Sequence, residues 1–140
     1  MYPTFFVPNL DGRQHSDIAY FEINLANFND PKFAQVIPLQ VPAGSQVLRC
    51  FANVTEAFDA ATTDTLVIGD SADEDRYGIA VDLKTTGLKQ FTPNGFIYGT
   101  DGTLQYILIK RIATGTAATK GKVMVFVETV AASKAYHTQG

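Results

Sequence analysis

"TLQYILIKRIATGTAATKGKVMVFVETV", residues 103 to 130, decides the fold class of this 140-residue chain. Two runs of β-branched and aromatic residues, 103 to 112 and 122 to 130, flank a loop of Gly, Ala and Thr, and neither run has apolar residues at helical spacing. Alternation separates Leu104, Tyr106, Leu108, Lys110 and Ile112 from Gln105, Ile107, Ile109 and Arg111, and both sets are largely apolar. In the second run Val123, Val125 and Val127 oppose Met124 and Phe126. Strands that are apolar on both faces belong in the middle of a sheet, with something over each face. One cover is an opposing sheet. The other is a neighbouring subunit or the chain's own N-terminal arm, because an exposed apolar face of that size is unusual on a monomer. The two runs are expected to pair with each other as a hairpin across the loop.

Working outward, strand-like runs recur at 18 to 25, 34 to 41, 46 to 56, 64 to 69, 77 to 83 and 95 to 99. Between them, "PAGS" (42 to 45), "TTGLKQFTPN" (85 to 94) and "TDG" (100 to 102) supply the Gly, Pro, Asn and Asp of turns, and "GTDGT" reads as a tight hairpin from 95–99 into 103–112. The fold expected is all-β: a single jelly-roll-like β-sandwich of about eight antiparallel strands. Residues 1 to 17 are expected to form an extended N-terminal arm, 18 to 132 the sandwich and 133 to 140 a C-terminal tail. The arm holds Tyr2 just before Pro3 and Phe5, Phe6 and Val7 between Pro3 and Pro8, so it either lies over its own domain as an edge strand or reaches to a partner. Those four residues are the partner-binding candidates.

Composition limits the function classes. Hydrophobic residues make up 46% of the chain and charged residues 18%, against roughly 25% charged in an ordinary soluble domain. Less charge implies that something else covers part of the outer surface. A net charge of -3 argues against nucleic acid as a partner, since a duplex binder carries a basic face. No apolar run approaches the roughly 20 residues of a membrane span, and the N-terminus lacks the basic and apolar regions of a signal peptide. Cys50, the single cysteine, sits in "VLRCFANV" and reads as a buried free thiol in a protein made in a reducing compartment. Acidic residues crowd Glu56 to Asp82 with only Arg76 against them, while basic residues dominate Lys110 to Gly140. The two regions are expected to face each other within one subunit.

Candidate chemistry concentrates in "IGDSADEDRY", residues 68 to 77. EF-hand spacing fails: counted from Asp70, the sixth residue is Asp75, where glycine is required, and the twelfth is Val81, where glutamate is required. A looser calcium site on Asp70, Asp73 and Asp75 is the weaker alternative to a solvated turn that Gly69 and Asp70 start, Arg76 partly neutralises and Tyr77 ends by entering the core. Consecutive acids on one turn repel and stay exposed, so they do not make the two-carboxylate cleft of a glycosidase. His15 and His137 lie near the termini, outside the strands, and "GDSAD" lacks the second glycine of a nucleophile elbow. "GTAATKGK" has the wrong glycine spacing for a phosphate loop. The expectation is a protein that is not an enzyme, with no cofactor and no metal.

One longer stretch, "RCFANVTEAFDAATTDTLVIGDSADEDRYGIAVDLKTTG" (49 to 87), resembles a pattern of small tailed-bacteriophage virion proteins: an apolar strand, "AFDA", a Thr and Asp turn, "TLVIGD", an acidic turn closed by "DRY", then "DLKTTG". The resemblance covers about a quarter of the chain. It implies a capsid decoration (cement) or related accessory protein with a β-sandwich or jelly-roll core and no enzymatic activity. Such a protein is made in the host bacterial cytoplasm, sits on the capsid surface of the virion, and bridges subunits of the major capsid protein, often as a homotrimer. No residue motif for capsid contact transfers with it. The competing class is a tail-fibre or glycan-binding module, which would use loop residues such as Tyr98, Asp101 and the Phe91 to Phe96 loop.

Overall fold

The computed structural model describes residues 16–41, 45–93 and 105–131. Eight strands and one helical turn are described: β1 (Ser16–Asn24), α1 (Leu25–Asn29), β2 (Val36–Val41), β3 (Ser45–Glu56), β4 (Thr63–Gly69), β5 (Gly78–Asp82), β6 (Gly87–Gln90), β7 (Gln105–Thr114) and β8 (Lys122–Ala131). They form two four-stranded sheets in the orders β1-β8-β3-β6 and β2-β7-β4-β5. Every pairing is antiparallel, and the first strand pairs with the last, the second with the seventh, the third with the sixth and the fourth with the fifth. That is one long hairpin rolled up on itself. Pairing of β8 with β3 and of β7 with β4 completes the two sheets and makes the jelly roll. The fold class expected from the sequence is the one observed.

The expected hairpin of the last two strands is not formed. β7 is filled on both sides by β2 and β4, and β8 by β1 and β3, so the two lie in different sheets. Residues 115–121 instead carry the chain from one sheet to the other. Two packed sheets stand about 10 Å apart, a distance that a longer connection spans more easily than a tight turn. Gly121 is required near its end, because φ is +155° and a Cβ there would sit 2.3 Å from the Phe58 ring. The central placement of both strands does match their two-faced apolar character.

Three further differences have local causes. β6 lies inside a stretch that reads as a loop; only four residues long and beginning with Gly87, it gives no alternation to detect. α1 is a single turn. Asn24 and Asn27 cap each other reciprocally while Leu25 and Phe28 are buried, and five residues are too few to show a helical period. β1 begins at Ser16, so Ser16 and Asp17 belong to a strand. The run 95–99 and the "GTDGT" turn lie outside the described residues.

Between the sheets lies one core, with Ile23, Phe28, Val54, Phe58, Leu66, Ile68, Ile107, Ile109, Val123, Val125 and Val127 at most 2% exposed. Strand parity accounts for it. In β8 the three valines point inward while Met124 and Phe126 point outward, and β3 follows the same rule only because of a bulge between Val47 and Arg49. Val47 and Cys50, three apart, both face the core, and Arg49 is aimed at the outer face. Cys50 is a free, buried thiol, its pKa pushed up to about 12 by burial.

Candidate functional site

The acidic turn closes on its own first carboxylate. Asp70 Oδ1 accepts hydrogen bonds from the backbone N–H groups of Ala72 (3.0 Å) and Asp73 (2.9 Å), and Oδ2 accepts from Arg76 Nε (2.7 Å) and the Tyr77 hydroxyl (3.4 Å). Partial burial works to raise the Asp70 pKa, but the Arg76 hydrogen bond and the two backbone donors outweigh it and the pKa is lowered. Asp73 Oδ1 accepts from the Asp75 N–H at 3.4 Å. Asp70, Asp73 and Asp75 thus organise a turn, and among the described residues no group of three or more His, Cys, Asp or Glu side chains is placed to hold a metal ion.

This turn folds back over the outer face of β4. A Cβ on Gly69 would meet the carbonyl oxygen of Asp73 at 2.1 Å, so glycine is what permits the close approach. Val67, whose neighbour across the strands is Lys110 on the outer face, is only 3% exposed, and Lys110 reaches Glu74 of the turn at 3.2 Å. The acidic and basic regions of the sequence do meet within the subunit.

They meet again on the inside. Arg111 Nε and Nη2 donate to the two oxygens of Asp64, each at 2.6 Å, and Nη1 donates to Gln35 Oε1 at 3.0 Å, with the guanidinium carbon 5.4 Å from the Phe58 ring centroid. Both charges are buried, Asp64 wholly. The fork ties β4 and β7 to Gln35, which with Ala34 holds positive φ (+72° and +53°) in the connection leading to β2. Such strain persists only where surrounding contacts enforce it. Strand parity puts Arg111 with the inward residues Ile107 and Ile109, but nothing in the sequence names its partner.

Opposite in character is the outer face of the β1-β8-β3-β6 sheet. Ile18 and Tyr20 of β1 and Leu88 of β6 are 60%, 64% and 67% exposed. Tyr20 stacks on Phe126, ring centroids 5.7 Å apart. Ile18, Arg49, Phe51, Leu88, Phe126 and Glu128 line a shallow groove of about 330 Å³ that draws on all four strands. Its one charged pair neutralises itself: Arg49 Nε lies 2.5 Å from Glu128 Oε1, and Arg49 also packs over the Phe51 ring. Hydrogen bonds from Ser16 and Arg49 hold the Glu128 carboxyl below its ordinary range. The groove is a shallow, largely apolar surface that holds a satisfied ion pair.

The partner-binding candidates Tyr2, Phe5, Phe6 and Val7 lie outside the described residues, as do His15, His137, Tyr98 and Asp101. Phe91, grouped with a candidate glycan-binding loop, is instead core: it is 2% exposed and packs so closely on Gly78 that a Cβ there would sit 2.4 Å from its ring.

No family model matches the sequence, and no curated protein matches it. Solved structures do. The chain is similar to a chain of the cyanophage Pam1 capsid asymmetric unit, with TM-score 0.63 and 20% identity over 85% of this chain and 86% of that one. It is also similar to a chain of the acid-stable capsid of Helicobacter pylori bacteriophage KHP30, with TM-score 0.58 and 15% identity over 82% and 86%. The fold is one that phage capsids use. At these identities the likeness is of backbone architecture, and it extends over more than four fifths of each chain.

Proposed function

We propose that this protein is a non-enzymatic structural component of a phage virion: a decoration, or cement, protein that binds the outside of the head. In this role it bridges subunits of the major capsid protein and acts as a homotrimer. The observation that carries the proposal is the eight-stranded jelly roll shared over most of its length with chains from two phage capsids.

Local chemistry is in keeping with a mechanical role. The Cys50 thiol is buried and held protonated, and the Asp70 carboxylate is held ionised by fixed donors, so neither is poised to exchange a proton near neutrality. Charge is sparse and apolar outer surface is available, which is what association with a protein lattice uses. Among the described residues no helix is long and apolar enough to cross a membrane.

Two measurements test the proposal. The purified chain is expected to scatter light as a trimer and to sediment with phage heads stripped of accessory proteins, saturating at a fixed ratio to the major capsid protein. A monomer that ignores heads but binds glycans would replace it with a receptor-binding module.

A further inference from the structure

The open groove on the β1-β8-β3-β6 sheet has a candidate occupant within the chain. We propose that the aromatic segment Tyr2–Val7 of the same chain folds back and seats its side chains in the groove lined by Ile18, Arg49, Phe51, Leu88, Phe126 and Glu128.

Position comes first. The residues preceding Ser16 enter the fold directly at β1, whose outward side chains Ile18 and Tyr20 already belong to the apolar face. From Val7 to Ser16 the chain can extend to about 30 Å, whereas four strands span about 14 Å, so the segment reaches every part of the groove. Asp11 and Gly12 lie between the segment and β1 and form a dipeptide suited to reversing the chain.

Composition comes second. Tyr2, Phe5, Phe6 and Val7 are apolar side chains that six residues cannot bury among themselves, and the groove presents aromatic rings from two strands together with Ile18 and Leu88. The groove floor asks for no countercharge, because Arg49 and Glu128 satisfy each other. Tyr2 to Val7 carries none. The other segments outside the described residues fit less well. Residues 94–104 must connect β6 to β7 in the opposite sheet, and residues 132–140 hold a single aromatic, Tyr136.

The test uses the full chain with a benzophenone amino acid in place of Phe6, irradiated at low concentration and mapped by mass spectrometry. Crosslinks are expected within single chains, to peptides holding Leu88, Phe51 or Phe126. Deleting residues 2 to 7 is expected to leave cooperative unfolding intact and to raise emission of a dye that binds exposed apolar surface, with the gain lost on adding Leu88→Glu. Crosslinks between two chains would give the groove to a second copy. Crosslinks elsewhere, or unchanged dye emission after the deletion, would leave it to another occupant. Any of these overturns the proposal, and none bears on capsid binding, which is measured separately.

Discussion

The two sheets treat their outer faces differently. On β2-β7-β4-β5 the acidic turn lies against β4, Val67 is 3% exposed, and Gly69 lets the backbone of Asp73 and Glu74 come into contact. On β1-β8-β3-β6, Ile18, Tyr20 and Leu88 are each at least 60% exposed among the described residues. A central strand that is apolar on both faces needs two covers. The first sheet covers β4 with a polar loop while Tyr106 of β7 stays 51% exposed; among the described residues no such loop lies over the second sheet.

The largest effect is expected from the pair that anchors the covered sheet from within. Asp64→Ala leaves the Arg111 guanidinium buried without its carboxylate and should cost about 3–5 kcal/mol in urea unfolding. The double change Asp64→Leu with Arg111→Met should recover most of that loss, since well-packed apolar residues commonly replace a buried ion pair. If the double variant were as unstable as the single one, Arg111 would matter chiefly through Gln35 and the strained Ala34–Gln35 connection.

Next comes the comparison itself. Val67→Ser puts a hydroxyl beneath the acidic turn and should cost about 1–3 kcal/mol, while Leu88→Ser, made in the chain lacking residues 2 to 7, should cost about 1 kcal/mol or less. Equal losses would mean that the open face is as well covered as the closed one. Gly69→Ala should cost about 1–3 kcal/mol and speed amide exchange at Asp73 and Tyr77, because the turn must lift to admit a Cβ. Exchange unchanged at those amides would show that the turn is not what protects β4.

Much of this contrast was legible in the sequence, and the limits of legibility are physical. The outward and inward sets of residues 103 to 112 and 122 to 130 mark central strands, and the excess of acid at 68 to 77 marks a turn. Neither pattern says which strands neighbour each other, so adjacency in sequence suggested a hairpin where the roll places the strands in different sheets. The groove was harder still. It joins Ile18 to Glu128 and Arg49 to Leu88, residues that look like isolated exposed apolar or charged positions until pairing sets them side by side. Arg111 and Asp64 are 47 residues apart, and only β4 lying beside β7 brings them together. The bulge at Leu48, which turns Arg49 outward, has no turn residue to announce it.

Acid should distinguish the two faces by the smallest and most local effect. In the closed turn Asp70 has a folded pKa below 3.8, and on the open face Glu128 has one below 4.5. A carboxylate with a depressed folded pKa contributes stability that is fully present above its unfolded value and is lost as pH falls through its folded value. Both contributions should therefore be intact at neutrality and fade only in acid. Their structural consequences should differ. Protonating Asp70 releases Arg76 and the N–H groups of Ala72 and Asp73, so the turn loosens and Val67 becomes accessible. Protonating Glu128 frees Arg49 and Ser16 on the outer face of the other sheet, and the strands beneath should not respond. Asp59 gives an internal reference, its pKa lowered from 3.8 to about 2 by hydrogen bonds from the Thr119 hydroxyl and the Thr119 and Lys120 amides. Carboxyl carbon shifts followed by NMR from pH 7 down to pH 2 should show Asp59 titrating last among the three. Methyl accessibility of Val67 should rise along the Asp70 titration and be unaffected by that of Glu128. A Val67 response that followed Glu128 instead would mean that the two faces are coupled through the core, and that the cover over β4 depends on the ion pair of the opposite sheet.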